Sequence, residues 1–365
     1  MIHQLFTIIF IIIAIFIVAF FCEFFLKLLK KKLKTKDFEN IKRVPDIKLA
    51  RSYEISSFGY EKQNSQKCEI LGWDMIKNSE IEVKIKIPYI ESSYSCKYII
   101  NNLGARSNLK KFNSENNDKL FGIFGCSISY GYSLNEESTF ANLVSKKLKK
   151  YNYLNFSVPG YSLYQSLIKY KLKSKDIKFD FIILGLHQDL EKRNTCSIDW
   201  ADIINNYWKI PRTYKIGSFF NFLPTGKSKI EIINIFKFFI GNIKFIQKLT
   251  MKGLLLEFQK VCQKNNTKLY IICFDKYYSI YDFLAKNKFN WNSAHLNLEQ
   301  KNSKNECVFQ LMPWDNHPNI EANIIFAKKT LELIEHTKNN SDIFVPNITN
   351  SEFGEDPQKF TYTFW

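Results

Sequence analysis

A long apolar segment occupies the N-terminal residues. The run from Leu5 to Leu29 reads LFTIIFIIIAIFIVAFFCEFFLKLL, and its part from Leu5 to Cys22 carries no charged side chain. An uncharged segment of this length is about the minimum that spans the hydrocarbon core of a membrane. Glu23 and Lys27 follow at a depth where charge is tolerated. The pattern predicts a transmembrane anchor within residues 1–29, with the lipid bilayer as a partner.

A cleaved signal peptide is the nearest alternative to an anchor. Such peptides begin with basic residues and end in small residues before the cleavage site. The first six residues contain only His3 as a basic side chain, and Phe20 and Phe21 precede Cys22. These features favour an uncleaved, single-pass anchor.

Two regions of different pattern follow the anchor. Residues 30–45 are rich in lysine and are interpreted as a charged linker, and positive charge beside a span favours the cytoplasmic side of a membrane. Residues 46–118 are mixed, but IEVKIKIPYI, from Ile81 to Ile90, alternates apolar and polar side chains. Alternation with a period of two predicts a strand, so we expect a small β-rich accessory region here.

Short apolar runs alternate with helical patterns over residues 119–338. The predicted strands are KLFGIFG (119–125), NYLNFSV (152–158), FDFIILG (179–185), KLYIICF (268–274) and a short fifth, CVFQLM (307–312). Helices are predicted at about residues 138–150 and 320–336 from the spacing of their apolar positions. The alternation predicts an α/β domain, a three-layer αβα, doubly wound parallel sheet of the flavodoxin-like kind.

Two further segments complete the chain. IEIINIFKFFIGNIKFI, from Ile230 to Ile246, is apolar but interrupted by Lys237 and Lys244. We therefore predict an amphipathic helix there rather than a second membrane span. Residues 339–365 are polar and are expected to form an irregular tail.

Composition narrows the function classes. The chain has 365 residues, a formal net charge of +17, 45% hydrophobic and 24% charged residues, which is an ordinary globular balance. The lysines are spread along the chain and no nucleic-acid-binding module is visible, so nucleic acid is not expected as a partner. None of the eight cysteines forms a CxxC pair and the histidines have no metal-ligand spacing. We expect neither metal nor cofactor, while Cys68 and Cys96 could form a disulfide.

Polar groups follow the predicted strands where open parallel sheets bind ligands. Gly125-Cys126-Ser127 follows the first strand, a segment ending in Gly160 follows the second, and His187-Gln188-Asp189 follows the third. Asp315-Asn316-His317 precedes the last helix. A serine at a strand-to-helix turn, together with a histidine and a nearby carboxylate, meets the sequence requirements for nucleophilic catalysis.

Four of these blocks, in order, resemble the SGNH/GDSL hydrolase family, in particular its membrane-anchored bacterial members. They are FGIFGCSISYGYSLNEESTFANLV, NFSVPGYSLYQSL, GLHQDLEKRN and DNHPN, and the upstream INNLGARS is similar to a lead-in of those members. The resemblance covers about residues 101–335. It implies an ester-hydrolysing serine enzyme, and it implies a domain outside the cytoplasm, which opposes the orientation that the lysines favour.

The resemblance also implies residue roles. Ser127 would be the nucleophile, His317 the general base and Asp315 the residue that orients it. The oxyanion hole would be formed by the backbone N–H groups of Ser127 and Gly160 and by the side chain of Gln188. This sequence departs from the family at Cys126, where Asp is usual, and at Gln188, where Asn is usual. Cys126 itself is the alternative nucleophile.

The predicted activity is hydrolysis or transfer of acyl groups, in particular acetyl esters of a cell-surface polysaccharide. Tyrosines near the site could stack on sugar rings, above all Tyr130 and Tyr161, with Tyr132 and Tyr164 close by in sequence. The alternative function is a non-catalytic, membrane-tethered carbohydrate-binding or scaffold protein that retains the fold.

Overall fold

The computed structural model describes residues 7, 10–11, 13–25, 54–55, 65–86, 93–107, 112, 119–195, 200, 212–216, 219–223, 240–312 and 315–339. Residues 13–25 are helical. Among the residues in these ranges, none belongs to a helix that is both long and apolar enough to cross a membrane. Much of the predicted anchor, the linker over residues 30–45 and nearly all of the predicted tail lie outside the described residues.

The accessory region contains short antiparallel strands, as its alternating pattern predicts. They are β1 (Glu54–Ile55), β2 (Ser65–Cys68), β3 (Gly72–Met75), β4 (Ser79–Lys86) and β5 (Ser93–Ile100). Strand β4 pairs with β1 and β5, and β2 pairs with β3. Cys68 and Cys96 are both free thiols rather than a disulfide.

Five parallel strands form the central sheet. In chain order they are β6 (Lys119–Phe124), β7 (Tyr151–Asn155), β8 (Phe181–Leu186) and, after the antiparallel pair β9 (Arg212–Ile216) and β10 (Phe219–Leu223), β11 (Lys268–Asp275) and β12 (Asn290–Leu296). The order across the sheet is β12-β11-β8-β6-β7, and each neighbouring pair is parallel. This is the flavodoxin-like order, in which the winding direction reverses between β6 and β8.

Helices flank the sheet in two groups. The helices are α1 (Ser127–Tyr130), α2 (Phe140–Lys147), α3 (Leu163–Lys173), α4 (Leu190–Thr195), α5 (Lys244–Lys264), α6 (Tyr278–Lys286) and α7 (Ile320–Asn339). Helices α2 and α7 contact each other, while α3, α4 and α5 contact one another. Phe274 of β11 packs against Phe140 and Phe326 of the first group, and Phe124 of β6 packs against Tyr170 of the second.

Local sequence explains where the helix of the second block begins. Ser162 caps α3: its hydroxyl accepts a hydrogen bond from the Gln165 N–H at 3.2 Å, and the Gln165 side chain accepts one from the Ser162 N–H at 2.9 Å. This reciprocal arrangement satisfies two N–H groups that the helix itself cannot bond. These hydrogen bonds therefore fix the C-terminal end of the loop between β7 and α3.

The predicted fifth strand is wrong. CVFQLM forms only isolated bridges, between Cys307 and Lys301 and between Gln310 and Pro318. The fifth strand is β12, whose sequence NWNSAHL lacks an apolar run. Its polar residues are buried because neighbouring elements bond them; Asn292, for example, donates to the Lys329 carbonyl of α7 at 2.8 Å. Of the predicted amphipathic helix over residues 230–246, residues 230–239 lie outside the described residues.

The accessory region is joined to the central sheet through Arg106. Its backbone exchanges two hydrogen bonds with Asn155 of edge strand β7, at 2.9 and 3.1 Å, and it also bridges to Ile100 of β5. Trp73 of β3 donates to the Pro159 carbonyl at 3.1 Å. The two regions consequently share a buried cluster that includes Trp73, Tyr98 and Tyr161.

Candidate active site

A cavity of about 400 Å³ lies at the carboxyl ends of β6, β8, β11 and β12. Its lining is mostly polar and comprises Ser127, Ile128, His187, Gln188, Asp189, Arg193, Asp275, Lys276, Leu296, Asn297, Leu298, Glu299, Gln310, Asn316, His317 and Pro318. Ligands of doubly wound sheets bind at this edge, next to the point where the winding reverses. Three of the four sequence blocks contribute to the lining.

Ser127 is the first residue of α1 and is separated from β6 only by Gly125 and Cys126. The Ser127 side chain lines the cavity, whereas Cys126 is fully buried in the hydrophobic core. The N–H of a first helical residue has no acceptor within its own helix. Ser127 is therefore the nucleophile candidate of this turn, and its N–H is available to a ligand.

A glycine in β8 allows α1 to lie close against the sheet. A Cβ at Gly185 would lie 2.1 Å from Ser129 Oγ and 2.5 Å from Phe274 Cε2. No side chain fits in that space, so glycine is required for this approach. The contact holds the helix that begins at Ser127 against the strand that leads into His187.

Asp315 and His317 form a hydrogen-bonded pair at the cavity. His317 Nδ1 lies 2.8 Å from Asp315 Oδ1, and the His317 N–H donates to the same oxygen at 3.3 Å. Tyr132 packs against the imidazole, with ring centroids 4.7 Å apart. Because Asp315 engages Nδ1, Nε2 is the nitrogen of His317 that can take a proton from a nucleophile.

The second oxygen of Asp315 is held by Ser133. The Ser133 hydroxyl donates to Asp315 Oδ2, and Ser133 itself has a left-handed backbone conformation with φ of 61°. Strand β5 holds this unusual conformation: Tyr98 Oη accepts from the Ser133 N–H at 2.7 Å, and Tyr94 Oη donates to the Ser133 carbonyl at 2.6 Å. The accessory region thus contacts the Asp315–His317 pair through one serine.

Arg106 supports the same loop from within. The side chain is fully buried and donates to the carbonyls of Tyr130, Gly131 and Leu134 at 3.0, 2.8 and 2.6 Å. It also pairs with Glu136 at 2.5 Å. A planar guanidinium provides such a fork of donors, and it places the loop that contains Ser133.

The electrostatics of the pair favour an ionised carboxylate. Burial by itself raises the pKa of Asp315, but the charge of His317 and the hydrogen bonds from His317 and Ser133 outweigh it and hold this pKa below its usual value. An ionised Asp315 stabilises a protonated His317 during proton transfer.

His187, Gln188 and Asp275 form the opposite wall of the cavity. The Gln188 side chain is exposed, and its backbone N–H donates to Asp275 Oδ2 at 3.1 Å. Burial raises the pKa of Asp275 to about 6. Within the described part of the chain, neither Asp275 Oδ1 nor His187 Nε2 has a hydrogen-bond partner.

The other predicted site residues are not among those that line this cavity. Gly160 lies in a buried turn after β7 with φ of 82° and is not among the lining residues. Tyr130 and Tyr161 are fully buried, which argues against the predicted contact with substrate. The reason is packing between the two regions: the rings of Tyr130 and Tyr98 pack edge to face, and the Tyr161 hydroxyl donates to the Trp73 carbonyl at 2.6 Å.

Sequence reasoning did not identify the contacts of Ser133 and Tyr98 or the place of Asp275 in the cavity wall. The sequence signal for the loop that contains Ser133 was Arg106, which lies in the segment INNLGARS. In the described ranges there is no group of three His, Cys, Asp or Glu side chains that could hold a metal ion.

Comparisons with known proteins complete the description of the site. No family model and no curated protein matches the chain. Among solved structures, a member of the lipolytic G-D-S-L family from Veillonella parvula is 11% identical with a TM-score of 0.36, and the match covers 60% of this chain and 98% of that one.

Two esterases are similar to the same extent. The psychrotrophic esterase EstA from Pseudoalteromonas is 14% identical with a TM-score of 0.36, over 61% of this chain and 100% of that one. A two-domain esterase active on acetylated mannans is 13% identical with a TM-score of 0.33, over 63% of this chain and 52% of that one. The chain is thus similar to solved GDSL-type lipolytic hydrolases and esterases, the class that its sequence blocks resemble.

Proposed function

We propose that this protein is an SGNH-type serine ester hydrolase or acyltransferase that acts on short acyl esters of carbohydrate. The observation that carries the proposal is the presence of Ser127 and the Asp315–His317 pair around one cavity at the reacting edge of the sheet. Ser127 and the Asp315–His317 pair come from distant parts of the chain, and nucleophilic acyl transfer requires a nucleophile, a base and an orienting carboxylate at one site.

The reaction follows from these groups. Ser127 Oγ attacks the ester carbonyl carbon while His317 Nε2 takes the hydroxyl proton, and Asp315 stabilises the imidazolium. The tetrahedral intermediate then expels the alcohol, which receives the proton from His317, and leaves an acyl group on Ser127. Water or a second alcohol, activated by the same histidine, releases the acyl group and restores the enzyme.

The size and lining of the cavity support a small acyl group on a polar alcohol. A volume of about 400 Å³ is near the lower end for a ligand pocket. Among the described residues, the apolar ones that line it are Ile128, Leu296, Leu298 and Pro318, and these four are too few to cover a long acyl chain. The charged side chains Asp189, Arg193 and Glu299 suit the hydroxyl groups of a sugar. Acetylated carbohydrate is the substrate class that fits these features.

The test is turnover of chromogenic acetyl and octanoyl esters by the full chain. We expect release of the chromophore from the acetyl ester, weaker activity on octanoyl, and none above background in Ser127→Ala. Cys126→Ala is the matched control and should retain activity. An inert wild type that binds acetylated polysaccharide would favour the carbohydrate-binding alternative, and turnover lost only in Cys126→Ala would move the nucleophile by one residue.

A membrane tether remains part of the proposal. It is supported by the uncharged run from Leu5 to Cys22 and by the exposure of large apolar side chains among helical residues 13–25, including Phe16 and Phe20. The full chain should stay with membranes after a carbonate wash, and a chain lacking residues 1–36 should be released. Retention of the shortened chain would contradict a single N-terminal tether.

A further inference from the structure

A sugar that carries an acetyl ester extends beyond the reacting group, so the protein needs contacts for the ring as well as for the ester. The faces of a pyranose ring consist mainly of C–H groups, and its hydroxyls lie around the edge. An exposed aromatic side chain can cover such a face and remove apolar area from water. Tyr130 and Tyr161, which the sequence suggested for this contact, are buried.

Tyr278 is an exposed aromatic residue at the start of α6. Beyond the N-terminal helix, the structure describes two aromatic side chains as exposed: Tyr278, at 50%, and Phe245, at 68%. Exposure alone does not indicate a site, because apolar atoms form much of any protein surface. The argument for Tyr278 depends on where its ring lies and on what holds it.

Tyr278 lies beside the wall of the cavity that the ends of β11 and β12 form. Lys276, two residues before it, and Leu296, which directly follows His295, both line the cavity. Tyr278 contacts His295 across these strand ends: its hydroxyl oxygen lies 2.7 Å from His295 Nε2, and the ring centroids are 5.0 Å apart. Through these contacts the exposed ring lies at the edge of the cavity.

The ring of Tyr278 is held in place by the protein itself. His295 fixes its hydroxyl, and Tyr281 packs edge to face against it with centroids 5.7 Å apart. Tyr281 is in turn bonded to Ser293 of β12 at 2.7 Å. Burial and the charge of Lys276 lower the pKa of His295, so its neutral Nε2 accepts from the hydroxyl. A ring that is already ordered loses little conformational entropy when a ligand binds.

Polar side chains of the same wall complement the ring. Lys276, Asn297 and Glu299 line the cavity and are exposed. An ammonium group, an amide and a carboxylate together provide donors and acceptors for the hydroxyls at the edge of a sugar. An aromatic face next to such groups matches a ligand that has C–H faces and a hydroxyl edge.

We propose that Tyr278 is the stacking platform for the sugar ring of the substrate, while the ester lies between Ser127 and His317. This inference deepens the proposed function and rests on it. The ligand is a cyclic sugar rather than an open-chain alcohol, because a ring presents a flat C–H face and an open chain does not. Tyr278 binds the substrate and takes no part in proton transfer.

Matched ring and open-chain substrates test the assignment in the full chain. An acetylated methyl glucoside provides a ring, acetylated sorbitol provides hydroxyls without a ring, and a chromogenic acetyl ester reports the chemistry alone. Tyr278→Ala should raise KM for the glucoside about 10-fold and leave kcat within about twofold, because stacking holds the ground state and the transition state equally. Its kinetics on the other two substrates should stay within about twofold of wild type.

Two further variants separate the ring from its surroundings. Tyr278→Phe keeps the ring and loses only the bond to His295, so its KM for the glucoside should stay within about threefold of wild type. Phe245→Ala removes the other exposed aromatic side chain, which does not line the cavity, and should leave all three substrates unaffected. Retained turnover of the chromogenic ester shows that each variant is folded.

The outcomes also distinguish this inference from the function on which it rests. An active wild type that does not accept the glucoside overturns the assignment of Tyr278 alone. So does an active wild type in which Tyr278→Ala leaves KM for the glucoside unchanged or raises KM for the sorbitol ester equally. A wild type that hydrolyses none of the three esters overturns the proposed function and this inference together.

Discussion

The two sides of the cavity differ in how their polar atoms are bound. On the side of the catalytic pair, both oxygens of Asp315 are bonded, one by His317 and the other by Ser133. Ser133 in turn is held by strand β5 of the accessory region. On the opposite side, His187 Nε2 and Asp275 Oδ1 have no partner within the described ranges.

The two sides of the cavity are therefore expected to respond differently to substitution. The side with Asp315 is complete without a ligand, because the protein itself supplies every donor that the carboxylate needs. The side with His187 leaves buried polar atoms unpaired, which lowers stability. The contrast predicts that substitutions on the first side impair the chemistry, whereas removal of unpaired charge on the second side stabilises the fold.

The largest expected effect belongs to Ser127, the proposed nucleophile. Ser127→Ala should reduce kcat on the acetyl ester by on the order of 10⁴-fold, because acyl transfer loses its attacking atom. Ser127 lies at the start of a short helix, so the unfolding temperature should change little. Burst kinetics and mass spectrometry of the acyl-enzyme would check this, and an acyl group found on any other residue would refute the assignment.

Loss of the arginine that supports the Ser133 loop should have the next largest effect. Arg106→Met removes the buried donor that three carbonyls and Glu136 share and should lower the free energy of unfolding by about 3–5 kcal/mol. Urea denaturation would measure the loss. Lys97→Met, which removes an exposed ion pair with Glu80, is the control and should change stability by less than about 1 kcal/mol. Equal effects of the two substitutions would contradict the role of Arg106.

Substitutions of Ser133 test whether the accessory region influences the activity of the Asp315–His317 pair. Both Ser133→Ala and Ser133→Gly remove the hydrogen bond to Asp315, and kcat should fall about 10–100-fold, as expected for a bond to a charged group. The same loss raises the pKa of Asp315, so the acidic limb of the pH–rate profile should move to higher pH.

The pair of substitutions separates this effect from backbone strain. Glycine adopts positive φ readily and alanine does not, so Ser133→Gly should be the more stable of the two. If activity follows stability instead of falling equally in both variants, the hydroxyl is not the reason for the loss.

The smallest expected effect concerns the buried carboxylate of Asp275, on the side of the cavity opposite Asp315. Burial raises the pKa of Asp275 to about 6, so between about pH 4 and 6 the unfolded chain loses this proton first and the fold loses stability as pH rises. Asp275→Asn keeps an acceptor for the Gln188 N–H but cannot ionise. It should raise the free energy of unfolding by about 2 kcal/mol at pH 7.5 and by little at pH 4.

The control for that experiment is Glu69→Gln, because Glu69 is an exposed carboxylate of the accessory region. Urea denaturation of both variants at the two pH values gives the comparison. A stabilisation by Asp275→Asn that is equal at both pH values would show that ionisation of Asp275 is not its cause.

Local pattern was sufficient for the strands that carry the site. β6, β8 and β11 are short apolar runs with nearly every residue buried, and such runs are recognisable without knowledge of their neighbours. The positions of Ser127 and His187 follow from them, since each comes directly after a strand. Asp315 and His317 are two residues apart, so their pairing is also local.

Contacts between distant segments decided the features of the fold and site that the local pattern does not predict. Strand β12 is polar in sequence and is buried because other elements bond its side chains. Tyr130 and Tyr161 are withdrawn from the cavity by packing between the accessory region and the sheet. Ser133 donates to a carboxylate 182 residues away, and the Gln188 side chain is exposed. Hydrogen bonds and burial depend on the final distance between atoms, which no local pattern of apolar and polar residues encodes.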